Sequence, residues 1–584
     1  GWGRGEPSSP HRAGGMQTSP LRRSVDRKRA GNESLLGRRA RQGLGQGIAA
    51  WHVTVITALA VALLLPLAHA WPPAYILNNT KGWDPNFQAL KDIWNAPAVC
   101  LALVLVVSTA AAVCWGRMIK GEKAAIGEKA RAEYAAGRHY AIIASHDKLG
   151  DAYTQERDDG ERVLQVRDPV TAFNILSSRK GFGKLGEWAA VDGDGPSVDP
   201  VSNLVQPIYH NTFLEMPDGD AWAIRRRAAA PAFAVTQQRA AAFAADTEAA
   251  ADALLPEGQA SADVELQHFC HRLLRIHTQR AACGSSAPLS EEDQCTYDKV
   301  TDYFVQRYYD EPSAKSGSGA AHGVIDADVD ALAPALEVAK KHVASVLAAP
   351  EKGTLLAGLH ATGQVNAQEL AETLVDIIIA GAESPAGSCA WMLAELAKNP
   401  SAQQRCREEA AAALEAAGGV EAEALKRMPF VEACAKEAMR IHTPATLVHR
   451  TVAEDGVVAG MPVKKGSKVG VCLHAVHMHE GAWEEPERFN PDRFLNLAEP
   501  SKCPFKGSGV ADVSKAKLAF MPFTAGPRGC PGGALTLAWA KLCCAAVLRR
   551  FDIEEYLPPP GGPKAVAKWV GWERDGITVR LRAR

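Results

Sequence analysis

The sequence predicts a mainly α-helical domain with a small β region, preceded by one or two N-terminal hydrophobic helices. Three observations carry this. An apolar run at helical spacing extends from Asn366 to Lys398, where Asn399-Pro400 stops it. Alanine-rich helical stretches lie around residues 222–255. Strand-like runs are short and appear late, around 468–474 and 578–582.

In chain order, residues 1–47 form a basic leader with ten Arg/Lys and three Asp/Glu. That leaves 55 of the 65 basic and 63 of the 66 acidic residues for a mildly acidic remainder. The leader has no hydrophobic period, so it is expected to be disordered. A formal net charge of −1 argues against nucleic acid as a partner. Residues 48–70 and 96–115 lack Asp, Glu, Lys and Arg. Each is long enough to span a bilayer, which takes about 20 apolar residues. The first ends in Ala68-His69-Ala70, which suits a cleavable signal peptide, yet it equally suits a first span. Basic residues before the first and after the second put both flanks in the cytosol. The expected organisation is a hydrophobic segment at 48–70, a transmembrane anchor at 96–115 and a catalytic domain at 120–584. A cytosol-facing domain on the endoplasmic reticulum membrane is the first expectation. An Arg/Ser-rich head also precedes plastid and mitochondrial membrane routes.

Within the body, Glu161–Val166 reads as a strand. Asp168-Pro169 then opens a helix, with the aspartate as N-cap and proline in the first turn. Ser313–Gly323 reads as a flexible connection. Asn366-Ala-Gln-Glu369 has capping-box spacing and starts the long helix. At 1.5 Å per residue that helix is roughly 48 Å long, enough to cross a large domain. The thirteen cysteines contain no CxxC pair. They read as buried small hydrophobes in a reducing compartment, with Cys530 set apart by its neighbours.

Phe523-Thr-Ala-Gly526-Pro-Arg528-Gly-Cys530-Pro-Gly532 surrounds that cysteine with glycines. Glycines let the backbone approach a flat ligand closely and aim amides at the sulfur. The full pattern F-x-x-G-x-R-x-C-x-G resembles the heme-ligand loop of the cytochrome P-450 family. Three further segments resemble that family. Glu437-Ala-Met-Arg440 is similar to its E-x-x-R helix, and Arg493 stands in its P-E-R-F-like element. Trp222-Ala-Ile-Arg-Arg226 is similar to its W-x-x-x-R helix. The resemblance runs over about residues 148–584.

It implies the cytochrome P-450 fold and heme b held through Cys530. It implies Trp222, Arg226, Arg450 and Arg528 as propionate partners, and Phe523, Gly526 and Gly532 as the loop around the cofactor. Glu437, Arg440 and Arg493 become a buried structural network. Ala445–Val448 are expected to line the substrate pocket. His442, His449, His477 and His479 are expected to be surface or structural residues rather than metal ligands. The implied activity is a monooxygenase that inserts one atom of O2 into a lipophilic substrate. Electrons come from a separate NADPH-dependent reductase or a ferredoxin-type donor. Two alternatives stay open: a heme-thiolate isomerase or dehydratase acting on a hydroperoxide, and a heme-binding sensor without turnover.

Ala380-Gly381-Ala-Glu383-Ser384-Pro385 sits at the centre of the long helix. It resembles the family's A/G-G-x-D/E-T, with serine for threonine. Ala380, Gly381, Glu383 and Ser384 are therefore expected on the oxygen side. Gly381 is expected to leave room for oxygen, Glu383 to relay protons, and Ser384 to bond the Ala380 carbonyl or a water. Pro385 removes the helical partner of the Gly381 carbonyl. The freed carbonyl is expected to hold a water.

Overall fold

A computed structural model describes His146 and, with breaks, residues 149–584; the longest breaks are 184–211, 311–325, 499–509 and 560–575. The two predicted hydrophobic segments and the Ser313–Gly323 connection lie outside the described residues.

The body begins with β1 (Ala152–Glu156), β2 (Arg162–Val166), α1 (Pro169–Ser177) and β3 (Phe182–Gly183). Asp168 caps α1 as expected, its carboxylate accepting the Thr171 N–H at 2.7 Å. Next come α2 (Asp220–Ala229), α3 (Gln237–Asp252), β4 (Ser261–Glu265), α4 (Leu266–Cys283), α5 (Glu291–Asp310), α6 (Asp326–Ala348) and α7 (Leu355–His360). The long helix is α8 (Ala367–Lys398), followed by α9 (Pro400–Ala416), α10 (Glu421–Lys426) and α11 (Pro429–Ile441). Four short strands follow: β5 (Leu447–Val452), β6 (Gly456–Val458), β7 (Met461–Val463) and β8 (Lys468–Cys472). The chain ends with α12 (Leu473–His477), α13 (Asp492–Ala498), α14 (Val513–Ala519), α15 (Gly533–Arg550), β9 (Phe551–Leu557) and β10 (Thr578–Ala583).

The capping box forms in full. Asn366 accepts the Glu369 N–H at 2.9 Å, and Glu369 accepts the Asn366 N–H at 3.0 Å. Such a cap contributes on the order of 1 kcal/mol. Most of the stability of α8 comes instead from burial, because nearly every residue from Leu370 to Ala397 is inside. It packs against α4, α6, α11, α15 and β9, so it is the axis of the domain. Among the described residues, α8 is also the one helix long and apolar enough to cross a membrane by length and composition. Its burial makes it a core helix.

The strands form a five-stranded sheet in the order β1-β2-β8-β5-β3, a three-stranded sheet β4-β10-β9 and the β6-β7 ribbon. Within the first sheet β2 and β8 run parallel, with Leu164 opposite Val469. That pairing joins the start of the body to a segment some 300 residues later, as a parallel pair needs a long crossover. The mainly α architecture with a small β region is the one the sequence implies.

Candidate functional site

The segment before α15 is a tight loop. The Cys530 N–H bonds the Phe523 carbonyl at 2.8 Å, and the Gly529 N–H bonds the Gly526 carbonyl at 3.0 Å. These bonds fold the chain back so that Cys530 sits just ahead of the N-terminus of α15. The Gly532 N–H donates to the Cys530 sulfur at 3.3 Å. Burial pushes the thiol up, while the Gly532 and Gly533 amides and the Arg226 charge pull it down. A metal at this sulfur would remove its proton outright. The accessible surface of Cys530 faces a cavity of about 350 Å³.

The glycines divide their work. Gly526 has φ +73°, and a Cβ there would lie 2.4 Å from the Leu176 carbonyl oxygen. It is glycine because α1 packs onto the loop, and it does not line the cavity. Gly532 does line the cavity, and a Cβ there meets only the Cys530 sulfur at 3.8 Å. Phe523 also lines it, with its ring lying against Gly533.

Helix α2 brings Trp222 and Arg226 to the same cavity. Their four-residue spacing places them on one helix face. Arg226 donates to the Gly529 carbonyl at 2.6 Å, tying α2 to the cysteine loop. Arg528 stacks on Trp222, its guanidinium carbon 4.1 Å from the ring centroid. It also binds Asp218 at 2.5 Å and the Met216 carbonyl at 2.7 Å. Arg450 is buried but does not line the cavity. One of its nitrogens bonds the neighbouring His449 carbonyl. Burial, reinforced by the Arg528 charge, pushes it down to about 10. Asp218 was not legible in the sequence as part of this cluster, because its partner is 310 residues away.

From α8, Ala380, Gly381 and Ser384 line the cavity. Ser384 Oγ donates to the Ala380 carbonyl at 3.1 Å, one of the two bonds expected of it. The Gly381 carbonyl departs from expectation. Thr278 of α4 donates to it at 3.0 Å, so the oxygen freed by Pro385 already has a side-chain partner. The space beside Gly381 is likewise taken by Thr278, since a Cβ there would lie 2.9 Å from Thr278 Cγ2. Close helix approach, rather than room for oxygen, is what glycine serves here.

Glu383 points away from the cavity and is 2% exposed. It accepts from Thr301 at 3.4 Å. Burial pushes its carboxyl well above the usual range, against the pull of Arg275 and Thr301. His271 Nε2 lies 3.9 Å from the same carboxylate. Arg275 only donates, so His271 Nδ1 accepts from it at 2.9 Å and the ring proton belongs on Nε2, toward Glu383. Arg275 continues to Asp298 at 2.6 Å.

On the far side of α11 the expected charge network is present. Glu437 binds Arg440 through two bonds of 2.7 and 2.8 Å, and Arg493 at 3.1 Å. The Asn490 N–H adds a fourth bond at 2.9 Å. Arg493 donates further to the Glu484 and Glu485 carbonyls. Arg440 reaches the His477 carbonyl at 3.1 Å. His477 in turn bonds Thr443 and accepts the Met521 N–H at 3.0 Å, which links the network to the segment entering the cysteine loop. His477 was expected to be structural, but its place between the two motifs has no sequence signal. His479 lies near Asp151 and Asp168, the one group of three candidate metal ligands among the described residues. Its Nδ1 accepts the Gly481 N–H at 3.0 Å, which keeps the proton on Nε2 and blocks that nitrogen as a ligand. Ala445 of the expected pocket segment lines the cavity, while Val448 packs in the sheet core.

The cavity thus joins a thiol with an amide donor, an Arg/Trp donor cluster suited to carboxylates, and a wall of small residues. These fit an iron porphyrin bearing propionates. Comparison with known proteins agrees. Residues 337–566 match the cytochrome P-450 family model. The chain is 30% identical to cytochrome P-450 4F6 of Rattus norvegicus over 204 residues, which is 34% of this chain and 35% of the relative. It is 30% identical to a geranylhydroquinone 3''-hydroxylase of Arnebia euchroma over 32% of this chain and 36% of the relative. It is 35% identical to an oryzalexin D synthase of Oryza sativa subsp. japonica over 35% of this chain and 39% of the relative. The matched stretch spans a little over a third of these relatives' length. The family-model match over residues 337–566 contains α8, the Glu437 network and the cysteine loop, while Trp222 and Arg226 lie before it.

Proposed function

From the match of residues 337–566 to the cytochrome P-450 family model and the cavity around Cys530, we propose that this chain is a heme-thiolate monooxygenase of that family. It acts on a lipophilic organic substrate, and a separate NADPH-dependent reductase or ferredoxin-type protein supplies its electrons. The observation that carries the reading is the single cavity shared by Cys530, the Arg226–Trp222–Arg528 cluster and Ser384. Membrane tethering through residues 96–115, with the domain facing the cytosol, belongs to the same reading.

Cys530 would hold heme b through its sulfur, and the cofactor, when bound, would supply the O2 activation and oxygen-transfer chemistry of a thiolate-ligated heme. The chain's own residues do the rest. The Gly532 amide steadies the sulfur and tunes it. Trp222 and Arg226 offer N–H donors for a propionate, and Arg528, already anchored by Asp218, adds charge at the same edge. Arg450 stands behind that edge as a buried cation. Ser384 offers a hydroxyl to the cavity from a position fixed by the Ala380 carbonyl. Glu383, whose carboxyl burial pushes up, stands one residue from Ser384 but faces away from the cavity. The apolar lining from Leu214, Phe233 and Ile377 suits a lipophilic guest.

The test is substrate-dependent NADPH consumption with a supplied reductase. Oxygenated product, formed in proportion to NADPH, is the expected result. Rearrangement of a hydroperoxide without reductase would instead make the chain an isomerase. Heme binding with no turnover of either kind would make it a sensor. Ser384→Ala is expected to raise the peroxide released per NADPH.

A further inference from the structure

Pro385 has no N–H, so the carbonyl four residues earlier, that of Gly381, loses its helical partner. Thr278 of α4 takes that place across the helix interface, its hydroxyl donating to Gly381 at 3.0 Å. Thr247 and Thr296 turn their hydroxyl back to the carbonyl four residues earlier in their own helix. Thr278 instead reaches across to a backbone carbonyl of α8, as Thr301 reaches across to the Glu383 side chain.

The fit has two parts. A Cβ on Gly381 would lie 2.9 Å from the Thr278 methyl and 3.1 Å from its oxygen. Glycine at 381 is therefore what allows the hydroxyl to come within bonding distance. Thr278 is 4% exposed, and the little surface it shows lines the cavity beside Gly381 and Ser384. Ser384 meanwhile holds the Ala380 carbonyl. Two successive carbonyls at the proline break are thus each met by a side-chain hydroxyl, one from α8 and one from α4.

We propose that Thr278 is a positioning residue for the oxygen side of the cavity: its hydroxyl replaces the N–H that Pro385 lacks, and its methyl fixes the height of α8 above α4. The Ser384 hydroxyl and the cavity wall are held in place through this contact. The functional consequence rests on the heme-thiolate reading; the contact itself does not.

The experiment uses the full heme-loaded chain and four variants: Thr278→Val, Thr278→Ser, Gly381→Ala and the double variant Thr278→Ala with Gly381→Ala. Hydrogen exchange of the amides of 382–388 is followed by mass spectrometry, together with heme retention and peroxide released per NADPH. Valine keeps the shape and removes the donor. It is expected to speed exchange about fivefold, the factor an ordinary net hydrogen bond carries. It should also raise peroxide release. Serine keeps the donor and should restore both. Gly381→Ala alone should shed heme and melt earlier, and shrinking residue 278 should recover it. Exchange and coupling in Thr278→Val equal to wild type would overturn the proposal. So would a double variant no better than Gly381→Ala. A wild-type chain without thiolate-ligated heme would defeat the functional reading, while exchange and the size swap would still decide the contact.

Discussion

Arg226 donates to the Gly529 carbonyl at 2.6 Å, so a helix more than 300 residues upstream holds the turn that presents Cys530. The same guanidinium lines the cavity. Arg226→Leu is expected to weaken heme retention roughly tenfold or more, as loss of a charged hydrogen bond of about 1.5–3 kcal/mol implies. Arg226→Lys should recover part of it, because lysine keeps the charge but loses the planar fork. Heme per polypeptide after gel filtration checks this. Equal retention in all three proteins would remove Arg226 from the site.

Glu437 is fully buried and takes bonds from two arginines and a backbone amide. Removing one member leaves an opposite charge unpaired. Glu437→Gln or Arg493→Leu should cost about 3–5 kcal/mol, read from urea unfolding of the full chain. Exposed pairs such as Arg488–Glu485 should cost under about 1 kcal/mol by the same measurement.

Two glycines of the cysteine loop should respond differently. Gly526→Ala meets a backbone carbonyl and a positive φ, so it should cost over about 1 kcal/mol and disturb the docking of α1. Gly532→Ala meets only the sulfur at ordinary contact distance and should be milder. Thermal unfolding of both variants compares them directly. The reverse order would contradict the packing account.

Local chemistry was legible because it is written in neighbouring residues. The α1 cap, the capping box and extent of α8, and the short late strands follow from spacing and turn residues alone. The candidate site was legible motif by motif, through Trp222, Glu437 and Cys530, by resemblance. What the sequence does not show is which element fills a gap left by another. Gly381 and Pro385 look like room and looseness in one dimension. Thr278, about a hundred residues earlier, removes both in three. Gly526 is the same case, since its reason is the end of α1.

Acid should destabilise the fold through buried neutral histidines. Burial pushes His277 from 6.5 down to about 3, and His474 down to about 4. Between those values and 6.5 the unfolded chain binds more protons than the folded one. Stability therefore rises with pH there, and is lost as pH falls below about 6.5. Each group contributes a slope of about 1.4 kcal/mol per pH unit. His277→Leu should flatten the acid limb by about one such slope in urea unfolding between pH 6.5 and 4. An unchanged limb would mean His277 charges freely in the folded state.

The most direct measurement is the absorption spectrum of the reduced, CO-bound full chain. Heme ligated by the Cys530 thiolate should give a red-shifted Soret band, and Cys530→Ala should abolish it. A wild-type protein without that band, or a Cys530→Ala variant that keeps it, would contradict the assignment of Cys530 as the heme ligand.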